Sequence, residues 1–412
     1  MIGTECWKTY KLGDCVNFLS GGTPSKKNPE YWGGNIPWVS CKDMKKAYLY
    51  DSQDHITEKG AANGTRFVSP ETILIVVRGM ILGQHFPVAI AKRKMAFNQD
   101  LKALQCAPNV DPKFLFHWLR GKSYEILGIV DEAAHGTKRL QTDRLQNFPL
   151  HLPPLPIQRK IAAILSAYDD LIENNTRRIE ILEEMARSIY REWFVKFRFP
   201  GHEQVQMVDS ELGLIPEGWE VRNLSEICEI IMGLSPKSEF YNENAEGLPL
   251  HQGVTNFGVW FPTDKVYTTA ITRLAQIGDI LFSVRAPVGR INIANKTIVI
   301  GRGICAIRSK TGKQNFVLQQ LKDKFYEDNL MGGGTIYPSV TKEEVQKIKM
   351  LVPFPEKILA FESQSLPIFR QIEVFLLKNR NLCQTRDLLL PRLISGEIDV
   401  ENLDINTGEI AA

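Results

Sequence analysis

The chain repeats itself, and the repeat restricts what it can fold into. Trp7-Lys8-Thr9-Tyr10-Lys11-Leu12-Gly13-Asp14 returns as Trp219-Glu220-Val221-Arg222-Asn223-Leu224-Ser225-Glu226. Ile73-Leu74-Ile75-Val76-Val77-Arg78 returns as Ile280-Leu281-Phe282-Ser283-Val284-Arg285, and Gly136-Thr137 as Gly334-Thr335. Pro153-Pro154-Leu155-Pro156 finds an echo in Pro353-Phe354-Pro355, and each copy then runs into a long helical stretch. The order is globular unit, helix, globular unit, helix. Such a chain offers two similar surfaces held at a fixed separation.

A length of 412 residues exceeds what one core serves and fits two domains with connectors. The predicted boundaries are a first unit over 1–156, a helix over 157–199, a second unit over 200–355, a helix over 356–397 and a tail over 398–412. No apolar run reaches the roughly 18 residues a membrane span needs. The first residues, Met1 to Cys6, show no basic segment followed by an apolar one, so no secretory signal is expected. Seven scattered cysteines without a Cys-x-x-Cys pair indicate a reducing cytoplasm rather than a disulfide framework or zinc site.

Ile157 to Phe199 contains no Gly or Pro and repeats apolar residues at 3/4 spacing. Ile161, Ile164, Tyr168, Leu171, Asn175, Arg178, Leu182, Met185 and Ile189 form one seam, flanked by Leu165, Ile172, Ile179, Ala186 and Trp193. A heptad seam needs a partner helix. The second helical stretch, about Glu356 to Ser395, supplies Ile368, Phe375, Leu382 and Leu389 every seven residues, with polar Asn379 and Arg386 against Asn175 and Arg178. Polar residues at seam positions cost stability but fix register. A complete unit lies between the helices, so the chain can return and pair them antiparallel; pairing between two chains is the alternative. About 40 helical residues at about 1.5 Å each make a rod of roughly 60 Å, long enough to act as a ruler.

Each unit starts with strand and turn signals, among them Gly21-Gly22-Thr23-Pro24 and the run Tyr31 to Ser40. Buried strands are predicted at Thr72 to Val77 and Ile280 to Val284, and amphipathic helices near Pro112 to Leu127 and Phe316 to Asn329. Strands come first and helices later, without βαβ alternation, so each unit reads as α+β. Catalytic motifs are scarce. No Gly-x-x-x-x-Gly-Lys-Ser/Thr is present. Asn28-Pro29-Glu30-Tyr31 only partly matches the Asn-Pro-Pro-Tyr of adenine methyltransferases, and Asp100-Leu101-Lys102 matches half of a nuclease pattern that the second copy lacks. Both are expected to be ordinary turns or strand ends. The seven His residues show neither ligand spacing nor pairing with a Cys, so no metal is expected.

A net charge of +3 proves no nucleic-acid partner, but the charge is placed unevenly. Lys26-Lys27, Lys42, Lys45-Lys46, Lys92-Arg93-Lys94 and Lys138-Arg139 sit in turns of the first unit, and Arg285, Arg290, Arg302 and Arg308-Ser309-Lys310 in the second. Their recurrence near the same Gly-rich turns favours phosphate contact over a merely solvated surface.

The unit-helix-unit-helix order, the Gly-Gly-Thr-Pro loop, the Gly136-Thr137 turn, Leu152-Pro153-Pro154-Leu155-Pro156-Ile157-Gln158-Arg159-Lys160-Ile161 and Leu388-Leu389-Leu390-Pro391-Arg392-Leu393-Ile394-Ser395-Gly396-Glu397-Ile398 together resemble the specificity (S) subunits of type I restriction-modification systems. The resemblance spans nearly the whole chain. It implies two target-recognition domains, each reading half of a split double-stranded DNA site, and two antiparallel coiled-coil helices that dock methyltransferase (M) subunits, two of them, alongside restriction (R) subunits. It implies a non-catalytic chain that binds no cofactor, S-adenosylmethionine belonging to the methyltransferase and ATP and magnesium to the restriction subunit. The second helix departs from the pattern at its start, where Pro355-Glu356-Lys357-Ile358 replaces Gln-Arg-Lys.

No reactive residue is needed for such a role, because Lys and Arg neutralise phosphates while Arg, Gln, Asn and Ser read base edges. The candidate DNA-binding residues are Thr23, Ser40, Lys42, Arg78, Gln84, Lys138 and Arg139 in the first unit and Gln252, Arg285, Arg290, Arg302, Thr335 and Tyr337 in the second. For Arg78 and Arg285 the competing expectation is a structural ion pair at a strand end. Two other classes stay open, a self-contained methyltransferase or nuclease and a coiled-coil scaffold that binds only protein.

Overall fold

The computed structural model describes residues 7–132, 136–325 and 339–407. The chain divides into two compact units, one of residues 1–176 with 376–412 and the other of residues 177–375. The division crosses both long helices, whereas the sequence boundaries set each helix apart as a connector. Packing is the reason. Ile161, Ala162 and Leu165 of the central helix and Leu390, Leu393 and Ile394 of the C-terminal helix belong to the core of the first unit. Tyr190, Phe194 and Phe361 belong with Phe316, Trp219 and Leu351 to a core of the second.

In the first unit, a five-stranded sheet runs in the order Val16–Ser20, Leu101–Cys106, Ile73–Val76, Val88–Ala91, Tyr48–Leu49. The last pair is parallel and the others antiparallel. Ile73–Val76 is buried along its whole length, as an uninterrupted apolar run in a central strand should be. A four-stranded sheet of Asp54–Ile56, Trp32–Val39, Met95–Phe97 and Arg66–Val68 follows. Helix Pro112–Gly121, N-capped by Asp111 through the Phe114 N–H, buries Phe114, Leu115, Phe116, Trp118 and Leu119. It stops at Gly121, where a Cβ would lie 2.3 Å from Ile394 Cδ1. The predicted single helix splits at Lys122, whose backbone leaves the helical region at φ −94° and ψ 11°, and Ser123–Leu127 forms a separate turn of helix.

The second unit repeats this plan. Glu220–Asn223 pairs with Lys349–Val352 as Lys8–Lys11 pairs with Pro149–Leu152. Cys228–Met232, Ile304–Ser309 and Ile280–Ser283 form an antiparallel sheet like that of Val16–Ser20, Leu101–Cys106 and Ile73–Val76. Helix Gln314–Lys324 follows, the counterpart of Pro112–Gly121. Strands and helices mix without βαβ alternation, giving α+β units.

The central helix spans Leu155–Tyr190 and the C-terminal helix Pro355–Ile394. The first ends short of Phe199 because Arg191–Val195 widens into a π turn, with the Lys196 N–H donating to Arg191 O, and Phe197 takes a positive φ. That turn carries Phe194 and Phe199 into the aromatic core beside Trp219. Pro367 lacks a helical N–H, yet the second helix continues through it. Burial of Ile368, Phe369 and Ile372 on the adjoining turn opposes the roughly 3 kcal/mol that an internal proline costs.

Within the first unit the two helices run antiparallel. Asp169 meets Arg386, and six residues further along the central helix Asn175 meets Asn379. The Asn175 amide donates to Asn379 Oδ1 at 2.9 Å, while the Asn379 amide donates to Thr176 Oγ1 and Ile172 O. Within the second unit the order is again antiparallel, with Arg178 over the Phe375 ring and Tyr190 against Phe361. The seam differs from the expected one. Leu165, Ile179 and Ala186, assigned to the flank, are buried at its centre, whereas Leu171 and Met185 are 53% and 48% exposed and Arg178 is also exposed. Ile164, Leu171, Arg178 and Met185 each precede a central position by one residue, which rotates them about 100° off the contact line. Ile161, Asn175 and Ile368 are buried, and Tyr168, Leu182, Ile189, Phe375, Asn379, Leu382 and Leu389 are half-buried.

The altered start of the second helix has a structural account. In the first copy, Gln158 accepts from the Asp111 N–H and donates to Asn109 O and Pro153 O. In the second, Glu362 takes over the helix-start contacts, accepting from the Phe316 N–H and the Asn315 amide. Lys357 instead donates to Pro200 O.

His117 lies beside this helix pair, fully buried, with Nε2 3.2 Å from Ser166 Oγ. Burial pushes its pKa down to about 3, against the attraction of nearby Asp169. The unfolded chain therefore binds one more proton than the native state between about pH 6.5 and 3. This share of stability is complete above pH 6.5 and is lost as pH falls, with a limiting slope of about 1.4 kcal/mol per pH unit. His117→Gln is expected to flatten the fall of urea midpoint between pH 6.5 and 4.5; an unchanged slope would assign the acid sensitivity to other groups.

Candidate nucleic-acid interface

Most first-unit candidates collect at the end of strand Ile73–Val76. Val77 and Arg78 donate their N–H groups to Asp100 O, Gly79 N–H donates to Lys138 O, and Leu140 N–H donates to Val77 O. Arg78 thereby forms an isolated antiparallel bridge with Arg139. The Cys41 thiol donates to Arg78 O, which brings Lys42 to the same rim, and the 3-10 turn Met80–Gly83 carries Gln84. Arg78, Arg139, Lys42 and Gln84 are exposed. The side chains of the three cations have no hydrogen-bond or ion-pair partner among the described residues, so the structural ion pair expected as an alternative for Arg78 is not found there.

Other candidates are tied down. Ser40 is buried, and both its N–H and its hydroxyl donate to Asp43 Oδ2. It builds the turn that presents Lys42 and does not itself face solvent, which corrects its placement among contact residues. Lys138 pairs with Glu132 at 2.6 Å. Thr23 is half-buried and donates to Gln99 Oε1.

In the second unit, Arg285 holds the place of Arg78. It bridges Ser339, and the Val340 N–H donates to Val284 O. Gln252 and Arg302 lie on the same rim, because the Val284 N–H donates to Gly303 O and the Gly303 N–H to Gln252 O. Arg285, Gln252 and Arg302 are exposed. Arg290 lies elsewhere. It lines a cleft of about 490 Å³ with Glu180, Glu183, Glu184 and Asp323, so its charge has carboxylates nearby and it does not join Gln252 and Arg302. Thr335 and Tyr337 lie outside the described residues.

Several basic clusters have structural duties. Arg308 grips Asp279 through two bonds of 2.7 Å, and Lys310 donates to Ser225 O and Glu226 O. Lys92 pairs with Glu71, and Lys94 sits over the Phe67 ring. Asn28 accepts from the Glu30 N–H as cap of a short 3-10 turn, and Lys102 donates to Ser20 Oγ, so both partial catalytic motifs serve as local structure. Behind the second rim, His251 is buried against Asp264 at 3.0 Å; burial lowers its pKa, and Asp264 works against that shift. Among the described residues no cluster of three or more His, Cys, Asp or Glu could hold a metal ion. No helix among the described residues is long and apolar enough to cross a membrane.

The sequence reading missed Gln99 and Ser235. Ser235 donates to Gln252 Oε1 and accepts from the Arg302 N–H, at 3.0 and 3.2 Å. The signal was present as Gly-x-Thr/Ser-Pro in both copies, Gly21-Gly22-Thr23-Pro24 and Gly233-Leu234-Ser235-Pro236.

Two similar α+β units, each with a cationic rim at the same strand end, define a duplicated recognition protein. A family model described as the type I restriction modification DNA specificity domain matches residues 4–184 and 216–364. The chain is 30% identical over 416 residues to the putative type I restriction enzyme MjaX specificity subunit of Methanocaldococcus jannaschii, covering 96% of this chain and 95% of that one. It is 33% identical over 205 residues to the EcoR124I/EcoR124II specificity subunit of Escherichia coli, covering 48% and 50%. The crystal structure of the type I restriction-modification S subunit from M. genitalium shares the fold, with a TM-score of 0.58 at 15% identity over 95% of this chain and 97% of that one. The chain belongs to the type I restriction-modification DNA specificity family. It is a specificity subunit, not a catalytic one, and the family does not favour a self-contained enzyme or a scaffold without DNA.

Proposed function

We propose that each rim contacts one half of a bipartite double-stranded DNA site, in the cytoplasm, with two methyltransferase subunits and the restriction subunits docked on the helices. In this reading S-adenosylmethionine, ATP and magnesium act on those partners and none binds this chain. The observation that carries the proposal is the match between Arg78 and Arg285. Each is exposed, sits two residues beyond the same buried strand, and is fixed by a backbone bridge to the segment that follows the Gly-Thr pair in the sequence. The two helices carry exposed Leu171, Ile181, Met185, Leu377 and Leu388, surface that such docking would cover.

Arg78→Ala is expected to weaken binding at the first half-site only, and Arg285→Ala at the second. A base contact is worth about 1 to 3 kcal/mol of discrimination, whereas a phosphate contact is sequence-blind and salt-sensitive. Fluorescence anisotropy on duplexes altered in one half at a time, repeated across a salt series, separates the two. Equal losses on every duplex by both variants, or no loss, would count against half-site reading by these rims.

A further inference from the structure

We infer that Gln99 and Arg302 are equivalent base-reading positions of the two units, with Thr23 and Ser235 as the hydroxyls that position them. The inference rests on the DNA reading proposed above and adds the residues and the bases.

The equivalence follows from matched backbone bonds. Gly22 N–H donates to Phe97 O and Leu234 N–H to Ile300 O, both at 2.9 Å. Asn98 N–H donates to Val39 O and Gly301 N–H to His251 O, at 2.9 and 2.8 Å. Val77 N–H donates to Asp100 O and Val284 N–H to Gly303 O, at 2.9 and 3.0 Å. Gln99 and Arg302 are therefore the middle residues of two turns held on both flanks by the same three contacts. Each follows a buried strand, Met95–Phe97 or Ile298–Ile300, and each side chain is exposed.

The neighbouring loop is as close as backbone allows. A Cβ on Gly21 would lie 2.2 Å from Phe97 O, and one on Gly233 2.1 Å from Gly301 O, so only glycine permits the approach. That approach delivers the hydroxyl two residues on. Thr23 donates to Gln99 Oε1, and Ser235 accepts from the Arg302 backbone N–H while donating to Gln252 Oε1. Asp100, beside Gln99, is occupied by the Asn98 amide.

The chemistry of the two side chains differs and names different bases. With Oε1 oriented by Thr23, the Gln99 amide presents N–H donors and a remaining lone pair, the pattern that pairs with adenine N7 and N6. The Arg302 guanidinium has no partner among the described residues and matches guanine O6 and N7. Two units with one scaffold thus read unlike half-sites by exchanging the residue at one turn.

The test is the methylated motif written by the complex of this chain with its methyltransferase partner, read by sequencing modified DNA. Arg302→Gln should change one guanine of the second half-site to adenine or leave it degenerate, and Gln99→Arg should do the reverse at one adenine of the first. Discrimination at that base should shift by about 5- to 150-fold. Ser235→Ala should loosen the same base as Arg302→Gln, and Ser235→Thr should restore it. Melting temperatures report that the exposed substitutions leave the fold intact. An unaltered motif in the variants, or a uniform loss on all sequences with a shallower salt dependence, overturns the inference. If the parent complex itself writes no bipartite motif, the DNA reading fails instead, and the two failures are thereby distinguished.

Discussion

Asp169→Ala is expected to destabilise the first unit by about 3 to 5 kcal/mol, because it strips the shared carboxylate from two guanidinium groups in a nearly dry site. The Asp169 side chain is 3% exposed; Oδ2 accepts from Arg120 and Oδ1 from Arg386, each at 2.6 Å. One carboxylate thereby ties helix Pro112–Gly121 to both long helices inside that unit. Replacing the whole triad by Asp169→Leu, Arg120→Met and Arg386→Met should recover most of the loss, since apolar groups of similar volume leave no buried charge unpaired. Urea unfolding of the single and triple variants checks this. A single variant within about 1 kcal/mol of the parent would show that water reaches the site and screens the charges.

The second large effect is expected from Phe194→Ala, at about 3 to 5 kcal/mol. Phe194 is 2% exposed and meets five rings, with centroids at 4.9 Å to Phe316, 5.5 Å to Tyr190 and Phe361, 5.9 Å to Trp219 and 6.1 Å to Trp193. Its removal leaves a cavity where the π turn, the C-terminal helix and helix Gln314–Lys324 meet. Hydrogen exchange should show lost protection over 177–325 and 339–375 with protection retained over 7–132. Uniform loss along the chain would mean that the two units unfold as one.

Much of the fold was legible because the controlling signals are local. The run Ile73 to Val77 is too apolar and too short for anything but a buried strand, and the heptad spacing of Ile368, Phe375, Leu382 and Leu389 places one helix face inward. Duplication was legible as Trp7 and Trp219 before matching strands. Seam phase was not. Periodicity gives a stripe about 100° wide, and choosing between the rows of Ile164 and Leu165 requires the partner helix. Helix ends were misjudged for a similar reason, since nothing local in Arg191 to Val195 announces that Phe194 will be drawn into an aromatic core.

The candidate site divides along the same line. Arg78, Arg285 and Arg302 were visible as basic residues beside Gly-rich turns, while Ser40, equally polar in sequence, is spent on Asp43 and Arg290 lines a cleft together with Glu180 and Glu183. Gln99 and Ser235 carried no charge and drew no notice. What the sequence determined by itself was the duplication, the α+β class, the pair of long helices and the family, because each is written in spacing and order along the chain. Which polar side chains face solvent, which are consumed inside, and which turns of the two units correspond was decided only by tertiary structure. Those properties depend on backbone bonds such as Val77 to Asp100 and Val284 to Gly303, between residues about twenty positions apart whose pairing no local pattern records.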